Sequence, residues 1–491
     1  MNIYMKRLFN TFLAGLLLIT CGGCSDWLDV TPQAQVNADK MFETPEGYES
    51  ALYGIYISMT SADTYGGSST YNLMDILAQY YRVYSNRYHN MYEAAVYNYE
   101  DGDVKNVIDA MWLQNYNSIA NCNILLEHLA TANPAIFQSG HYNLLKGEAL
   151  ALRAYLHFDL LRAFAVDYAT NPDGMAIPYA ESFTKKVHPQ MRTKDVVERI
   201  LKDLEEARNV LKDVDPVFDE TFRDQNTNYH YAQPFQDDIF MSYRAYRMNY
   251  YAVTGLMARV CLYAGDNANA YKYAKEIIDA ADGGAFWFTP ESNFTAPLTS
   301  RDVVMQSELL FALNCADIQK RFYSVDASYY DAVTLLEPDK IYPDASDFRR
   351  MLIGESSSNG YTISYKYADV KSNKGGKIPM IRLSEMYMIA AESYLETDRD
   401  VAAGYLGHVR RMRGISDEVR HDTYEQMIEE IITEARREYV GEGQLFYLYK
   451  RLQHPIIRNG AEIVLSQSQY CLPMPANEIE FGDREEEYLK Y

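Results

Sequence analysis

Several residue types that build functional sites are scarce in this sequence of 491 residues, which has nine histidines, six cysteines and three tryptophans. The histidines are scattered, and none is paired at the spacing of metal ligands. Four cysteines, Cys122, Cys261, Cys315 and Cys471, form no C-x-x-C pair and lie among apolar neighbours. We therefore expect buried free thiols, and neither a zinc site nor a disulfide framework.

Motifs for catalysis and for nucleotide binding are also absent. The sequence contains no G-x-S-x-G elbow, no H-E-x-x-H pair, no phosphate-binding glycine loop and no dinucleotide fingerprint. These absences predict a protein that is not an enzyme and that needs no cofactor or metal. Two alternatives stay open, because carboxylates are plentiful: a glycosidase pair meeting in a cleft, and a calcium site built from loop carboxylates.

Positive charge is in short supply. Lysine and arginine number 46 against 68 aspartates and glutamates, which gives a formal net charge of −22. Such an acidic chain disfavours nucleic acid or an anionic membrane face as a ligand. Long apolar runs are missing after the first residues, so we expect no helix that spans a bilayer, which takes about 20 apolar residues.

The N-terminus carries the most informative local signal. Lys6 and Arg7 precede an apolar stretch over Leu8–Ile19, which is too short for a mature membrane span. A positive region followed by a short apolar region is typical of a secretory signal peptide. We assign residues 1–23 to this signal.

A cysteine at the end of such a signal is the acceptor for bacterial lipidation, and the sequence offers two. Cys24 follows the small residues Gly22 and Gly23, whereas Cys21 has Leu18 three positions before it, where an aliphatic residue is preferred. We predict lipidation at Cys24, with Cys21 as the alternative. Several acyl chains anchor a protein stably to a membrane.

Helical periodicity dominates the rest of the chain. Two stretches, Tyr250–Ala281 and Leu383–Arg413, have small residues at helical spacing and a turn near the middle, as tetratricopeptide hairpins do. Strand signals are sparse, which argues against a barrel or a doubly wound sheet. The prediction is a mainly α fold of tetratricopeptide-like hairpins with long inserted loops and few short strands. Its parts are a lipidated tether over 24–40, an N-terminal part over 41–235 and a C-terminal part over 236–491, the last two packed as one globule.

Charged residues interrupt several apolar helices. Glu148 and Arg153 lie on one predicted helix, and Arg382 and Glu385 open another. A third cluster crowds residues 434–442. Because a charge on an apolar face must be paired, we interpret these residues as structural ion pairs that lock helices together, with a charged ligand pocket as the weaker alternative.

The same clusters carry a family resemblance. The sequence resembles the SusD/RagB family of Bacteroidetes outer-membrane lipoproteins over nearly its whole length. The motifs that match in order are 24–29 with Pro32, 112–126, 147–160, 382–387 with 391–392, 409–414, 436–438 with 442–443 and Phe446, 450–451, 470–475 and 478–479. The sequence departs from the family at Ala435, Gln444 and Tyr449.

The resemblance implies a binding protein that packs against a SusC-like TonB-dependent transporter and acts as a hinged lid over its substrate. It places the protein at the cell outer membrane, lipid-anchored and surface-exposed. The leading reading is a glycan-binding lipoprotein of a nutrient importer. A peptide-binding relative and a purely architectural helical scaffold are the alternatives.

Tyrosine, with 44 residues, is the compositional outlier. A saccharide face stacks on aromatic rings while its hydroxyls bond to polar side chains. Candidate ligand-binding residues therefore come from tyrosine-rich segments and loops with polar neighbours, where an aromatic ring has no obvious helical face to pack on. They are Tyr88, Tyr92, Tyr97, Asn98, Trp287, Tyr323 and Tyr329.

Overall fold

The computed structural model describes residues 40–83, 91–219, 235, 238–322, 334–355, 362–367, 376–458 and 460–490. Backbone contacts divide the chain into a first unit over residues 1–48 and a second over 49–491. Cys24, the predicted lipidation site, lies outside the described residues.

Helices make up most of the described chain. They are α1 (Pro45–Met59), α2 (Leu73–Leu77), α3 (Tyr92–Ala95), α4 (Gly102–Thr131), α5 (His141–Phe164), α6 (Thr193–Leu211), α7 (Tyr250–Tyr263), α8 (Asn267–Asp282), α9 (Glu291–Phe294), α10 (Pro338–Ile341), α11 (Leu383–Tyr394), α12 (Arg399–Met412), α13 (Tyr424–Glu438), α14 (Leu445–Leu452), α15 (Gln467–Tyr470) and α16 (Ala476–Gly482). No helix within the described ranges is both long enough and apolar enough to cross a membrane.

The strands are short and pair two by two, each pair antiparallel. They are β1 (Met175–Pro178) with β2 (Gln190–Arg192), β3 (Leu309–Asn314) with β6 (Lys377–Arg382), β4 (Ile353–Glu355) with β5 (Thr362–Ser364), and β7 (Ile456–Arg458) with β8 (Ala461–Ile463). The prediction of a mainly helical fold with few short strands is confirmed.

The long helices pack in sequence against their neighbours. Helix α5 lies between α4 and α6, α7 packs on α6 and α8, and α11 packs on α8 and α12. Within this array α5 is buried almost around its whole circumference. A helix buried on all sides is expected at the centre of a helical core.

Both predicted hairpins form where the sequence placed them, as α7–α8 and α11–α12. Gly265 makes the first turn with φ at +72°, a conformation that glycine adopts without strain. The side chain of Asp266 then accepts a hydrogen bond from the backbone N–H of Asn269, and Asp398 caps α12 through Asp400 and Val401. Such caps satisfy backbone donors that have no partner within the helix.

The polar segment that precedes α2 lies in the core. Residues 64–71 are all buried, and Gly66 approaches backbone atoms so closely that a Cβ there would lie 2.2 Å from the carbonyl oxygen of Thr60. Polar residues in this stretch satisfy one another locally, as when Thr70 donates to the carbonyl of Tyr65 at 2.9 Å. The segment is therefore part of the core, which its polar composition concealed.

A buried histidine joins three parts of the second unit. The His141 ring lies 2.9 Å from Glu49 through Nδ1 and 2.8 Å from Asp238 through Nε2. Its ring also packs against Phe240, over which the guanidinium of Arg247 lies. Burial opposes the charged form of the ring, but the bonds to both carboxylates outweigh it and raise the pKa of His141 above its ordinary value.

We expect this contact to make stability pH-dependent. A histidine with a raised folded-state pKa contributes stability below its unfolded pKa, about 6.5, and loses it as the pH rises through the folded value. The free energy of unfolding should therefore fall as the pH rises above about 6.5, and His141→Gln should flatten that part of the profile. Urea unfolding at several pH values measures it. His188→Gln is the control, because the half-buried His188 ring contacts a backbone carbonyl, that of Ser182, at 3.1 Å. An unchanged slope in His141→Gln would contradict the assignment.

Candidate ligand-binding region and buried charge network

The sequence has two tyrosine-rich segments, residues 80–99 and 323–330. A short antiparallel bridge links the start of the first segment to residues that follow the second. Tyr81 pairs with Leu335, the N–H of Arg82 donates to the carbonyl of Thr334 at 2.8 Å, and the N–H of Leu336 donates to the carbonyl of Tyr80 at 2.7 Å. The described residues that precede position 84 and follow position 333 therefore lie side by side. The candidates Tyr88, Tyr323 and Tyr329 themselves fall outside the described residues.

Helix α3 and the turn after it carry three of the candidates. Tyr97 has its ring buried, and its hydroxyl donates to the carbonyl of Leu77 at 3.0 Å and accepts from Nε2 of Gln79 at 3.0 Å. Burial raises the pKa of the Tyr97 hydroxyl above its ordinary value. Tyr97 thus fixes the turn to α2, and little of its ring faces solvent.

The other two members of this group are more accessible. Tyr92 is half-buried at the start of α3, and Asn98 is exposed. The side-chain amide of Asn98 donates to the carboxylate of Glu93 at 2.8 Å, which orients it. One half-buried ring and one oriented amide are a suitable pair for a polar ligand with an apolar face.

Trp287 lies in another part of the fold, in the loop after α8. Its ring is half-buried, and its backbone N–H donates to the carbonyl of Ser307 at 3.4 Å. The adjacent Phe288 packs against Tyr387 and His408, which lie on α11 and α12. The structure thus brings Tyr92, Tyr97 and Asn98 together, and it packs Phe288, the residue after Trp287, against the second hairpin.

Asp75 holds the bridge in place. The sequence alone did not indicate a role for this residue. Its buried carboxylate accepts hydrogen bonds from the backbone N–H groups of Gly441 (2.7 Å) and Gly443 (3.0 Å) and from the Tyr81 hydroxyl (3.2 Å). Burial raises the pKa of Asp75 to about 7, while these donors act in the opposite direction. Asp75 therefore ties α2 and the bridge to the turn before α14. The only sequence signal was a carboxylate within an apolar run, Leu73–Leu77.

The turn that Asp75 holds needs glycine. Gly441 and Gly443 have φ of +83° and +67°. A Cβ at Gly443 would meet the carbonyl oxygen of Ser69 at 2.2 Å. Because glycine has no Cβ, it adopts a left-handed backbone without strain and lets another backbone segment approach closely.

Arg382 opens α11 inside a larger charge network. It donates to Glu438 at 2.7 Å and to Glu442 at 3.0 Å, and Glu438 also accepts from Arg413 and Arg349. Although burial opposes the charge of Glu438, Arg413 and Arg382 hold its pKa well below its ordinary value. The network therefore joins α13 to α11, α12 and the segment before β4.

Glu148 forms a second network, with residues far along the chain. It accepts from Arg244 at 2.5 Å, from Arg247 at 2.7 Å and from the Tyr56 hydroxyl at 2.5 Å. Glu148 and Arg244 are both fully buried. Burial disfavours the charge of Glu148, but Arg247 and Arg244 keep its pKa below its ordinary value.

The remaining two predicted ion-pair residues also have partners that the sequence did not suggest. Arg153 pairs bidentately with Asp203 on α6, and Glu385 pairs bidentately with Arg259 on α7. Glu148 and Arg153 share α5 but do not pair, since five residues turn a helix by about 140° and separate their faces. All these pairs are buried and satisfied within the protein, which suits a structural role.

Within the described ranges, no group of three or more His, Cys, Asp or Glu side chains is placed to hold a metal ion. The four described cysteines are free and buried. Burial raises the pKa of the Cys122 thiol to about 12, so it is not a nucleophile at neutral pH.

Two related protein families match this chain. Residues 26–225 match a family described as starch-binding and associated with the outer membrane. Residues 346–462 match the SusD family. The chain belongs to the SusD/RagB family. A search of curated proteins gives no match.

Solved structures of SusD proteins share the fold over most of the chain. A SusD superfamily protein from Bacteroides thetaiotaomicron is 22% identical with a TM-score of 0.70, covering 90% of this chain and 98% of that one. A SusD-like carbohydrate-binding protein from Bacteroides vulgatus is 20% identical with a TM-score of 0.68, covering 89% and 96%. Surface glycan-binding protein A from Bacteroides thetaiotaomicron is 17% identical with a TM-score of 0.64, covering 90% and 98%. At these identities the likeness shows the SusD fold.

Proposed function

We propose that this SusD-family chain is a lipid-anchored surface protein that binds an oligosaccharide or polysaccharide. It delivers that glycan to a SusC-like TonB-dependent transporter in the outer membrane and acts as the transporter's lid. The observation that carries the proposal is the likeness, over about nine-tenths of the chain, to a carbohydrate-binding and a glycan-binding protein of the same fold.

The ligand region that fits this proposal surrounds the bridge of Tyr81 and Leu335. In the sequence this bridge lies next to both tyrosine-rich segments, and Asp75 accepts a hydrogen bond from the Tyr81 hydroxyl at 3.2 Å. Tyr92 supplies a half-buried ring and Asn98 an exposed amide. A ring and an amide are the two kinds of group that a sugar needs. Tyr88, Tyr323 and Tyr329, which lie outside the described residues, join the proposal on the sequence alone.

Trp287 belongs to the proposal as a separate contact. It is half-buried in the loop between α8 and α9, where a ring can meet a long ligand. A polysaccharide that extends beyond the tyrosine-rich segments is the kind of ligand that would use it. Its mutation should then weaken binding of long chains more than of short ones.

We expect weak binding, with Kd between tens of micromolar and millimolar, because a lid must release what it captures. A Kd of 0.1 mM corresponds to about 5.5 kcal/mol, which two or three stacked rings and a few hydrogen bonds supply. Isothermal titration against panels of oligosaccharides and peptides measures it. Binding to peptides alone would overturn the glycan proposal and favour a RagB-like peptide importer. EDTA should leave the affinity unchanged.

Single substitutions locate the site. Tyr88→Ala, Tyr92→Ala and Trp287→Ala should each weaken binding, with one of them dominating as a hot spot. Tyr424→Ala removes a tyrosine that is 46% exposed on α13, away from both tyrosine-rich segments in sequence, and serves as the matched control. If all three variants bind a confirmed glycan as tightly as wild type, the site lies elsewhere.

A further inference from the structure

A surface groove lies between the loop that joins β1 to β2 and the C-terminal helix α16. Its volume is about 280 Å³. The lining includes Tyr116 from α4, Lys186 and His188 from the loop, and Asn477 and Phe481 from α16. None of the ligand candidates that the structure describes is part of this lining. The groove is therefore a separate feature of the surface.

Hydrogen bonds hold the two walls of the groove in a fixed relation. Nη1 of Arg484, which follows α16, donates to the carbonyl of His188 at 2.7 Å. Gln190, at the start of β2, accepts from the backbone N–H of Glu485 at 2.8 Å, and its Nε2 donates to the carbonyl of Glu485 at 2.9 Å. A groove that is already formed loses little conformational freedom when a ligand enters it.

Phe481 presents an aromatic ring to the groove that the fold leaves largely in solvent. Its side chain is 70% exposed, and Val187, which also lines the groove, is 60% exposed. A single exposed apolar side chain is common, but two that border one concave surface are typical of a binding site. The face of a phenyl ring is suited to the apolar C–H face of a sugar.

The polar side chains of the groove have hydrogen-bonding capacity that the protein does not use. Nε2 of His188 lies 3.1 Å from the carbonyl of Ser182, so it carries the proton and leaves Nδ1 as an acceptor. Within the part of the chain that the structure describes, neither the Asn477 amide nor the Lys186 ammonium has a hydrogen-bond or ion-pair partner. These groups match the hydroxyls of a sugar, which both donate and accept.

The charge of the lining indicates which kind of sugar fits. Arg484 forms an ion pair with Glu478 at 3.3 Å, so these two charges offset each other. The remaining formal charge in the lining is the ammonium of Lys186. It is a positive charge at the groove of a chain whose net charge is −22, and it favours a ligand that carries a negative group.

We propose that this groove is a second carbohydrate site, which binds an acidic sugar of the uronic-acid class. The sugar ring stacks on Phe481, its hydroxyls bond to Asn477 and to Nδ1 of His188, and its carboxylate pairs with Lys186. The inference rests on the proposed glycan-binding function and names one class of sugar that the protein takes. It adds a binding surface that the tyrosine-rich segments do not supply.

Isothermal titration of the folded chain with trigalacturonic acid, and with neutral maltotriose for comparison, tests the proposal. Trigalacturonic acid should bind, and its affinity should fall at high salt, because salt screens an exposed charge pair. Phe481→Leu keeps an apolar side chain but removes the ring, and it should raise the Kd about fivefold. Lys186→Ala should raise the Kd about threefold. Both side chains are exposed, so the melting temperature of each variant should match that of wild type.

Lys185→Ala is the matched control, because it removes the same charge from an exposed neighbour that does not line the groove. It should leave the Kd for trigalacturonic acid unchanged. Three results would overturn the proposal: no binding of trigalacturonic acid, equal binding of maltotriose, or wild-type affinity in both Phe481→Leu and Lys186→Ala. Loss of trigalacturonic acid binding in Tyr92→Ala, with Phe481→Leu unaffected, would also overturn it but would leave the proposed function intact. Failure of every glycan to bind wild type would overturn both.

Discussion

Glu148→Ala should lower the free energy of unfolding by about 3–5 kcal/mol, the usual effect of removing one partner from a buried ion pair. The substitution leaves Arg244 and Arg247 in the core with one carboxylate fewer between them. Arg244 keeps Asp215 at 2.8 Å, whereas the remaining described partner of Arg247 is the carbonyl of Phe240. The effect should therefore come mainly from Arg247. Denaturant unfolding measures it directly.

A neighbouring residue on the same helix gives the control. Lys146 pairs with Glu206 at the surface, with side-chain exposures of 33% and 44%. Lys146→Ala should change stability by less than about 1 kcal/mol, because exposed pairs contribute little. The folded fraction of Glu148→Ala should retain normal ligand affinity. Normal stability together with lost binding would show that Glu148 lines a pocket.

Cys24→Ala should abolish attachment to the outer membrane or leave the chain unprocessed. The acyl chains are the only predicted anchor, and each buried methylene contributes about 0.8 kcal/mol to membrane binding. Palmitate labelling followed by membrane fractionation measures the result. We expect complete loss of label and of membrane retention.

Cys21→Ala separates the two possible anchors. If Cys24 is the acceptor, the Cys21→Ala protein should still be labelled and retained. Label that persists in Cys24→Ala and vanishes in Cys21→Ala would move the anchor to Cys21. Labelling of neither wild type nor variants would mean a secreted protein without a lipid.

The burial of the candidate ligand residues could not be predicted from the sequence. Tyr92, Tyr97 and Asn98 share a polar, tyrosine-rich sequence, yet the structure buries Tyr97 against Gln79 and leaves Asn98 exposed. Nothing local distinguishes the two tyrosines, because the difference comes from α2, whose Leu77 carbonyl accepts the Tyr97 hydroxyl. An aromatic ring packs in the core or faces a ligand according to which residues lie opposite it in the fold. A sequence does not show which residues those are.

The sequence by itself determined the features that depend on neighbouring residues: the signal pattern, the helical periodicity and both hairpins. Their turns and caps, such as Gly265 and Asp398, act within a few residues. Tertiary structure alone decided the ion-pair partners. Arg247, for example, donates a hydrogen bond to Glu148, which lies 99 positions earlier in the sequence. A buried carboxylate needs a cation beside it, and any of the protein's 46 lysines and arginines meets that need. Only the packing of the helices decides which of them lies next to the carboxylate.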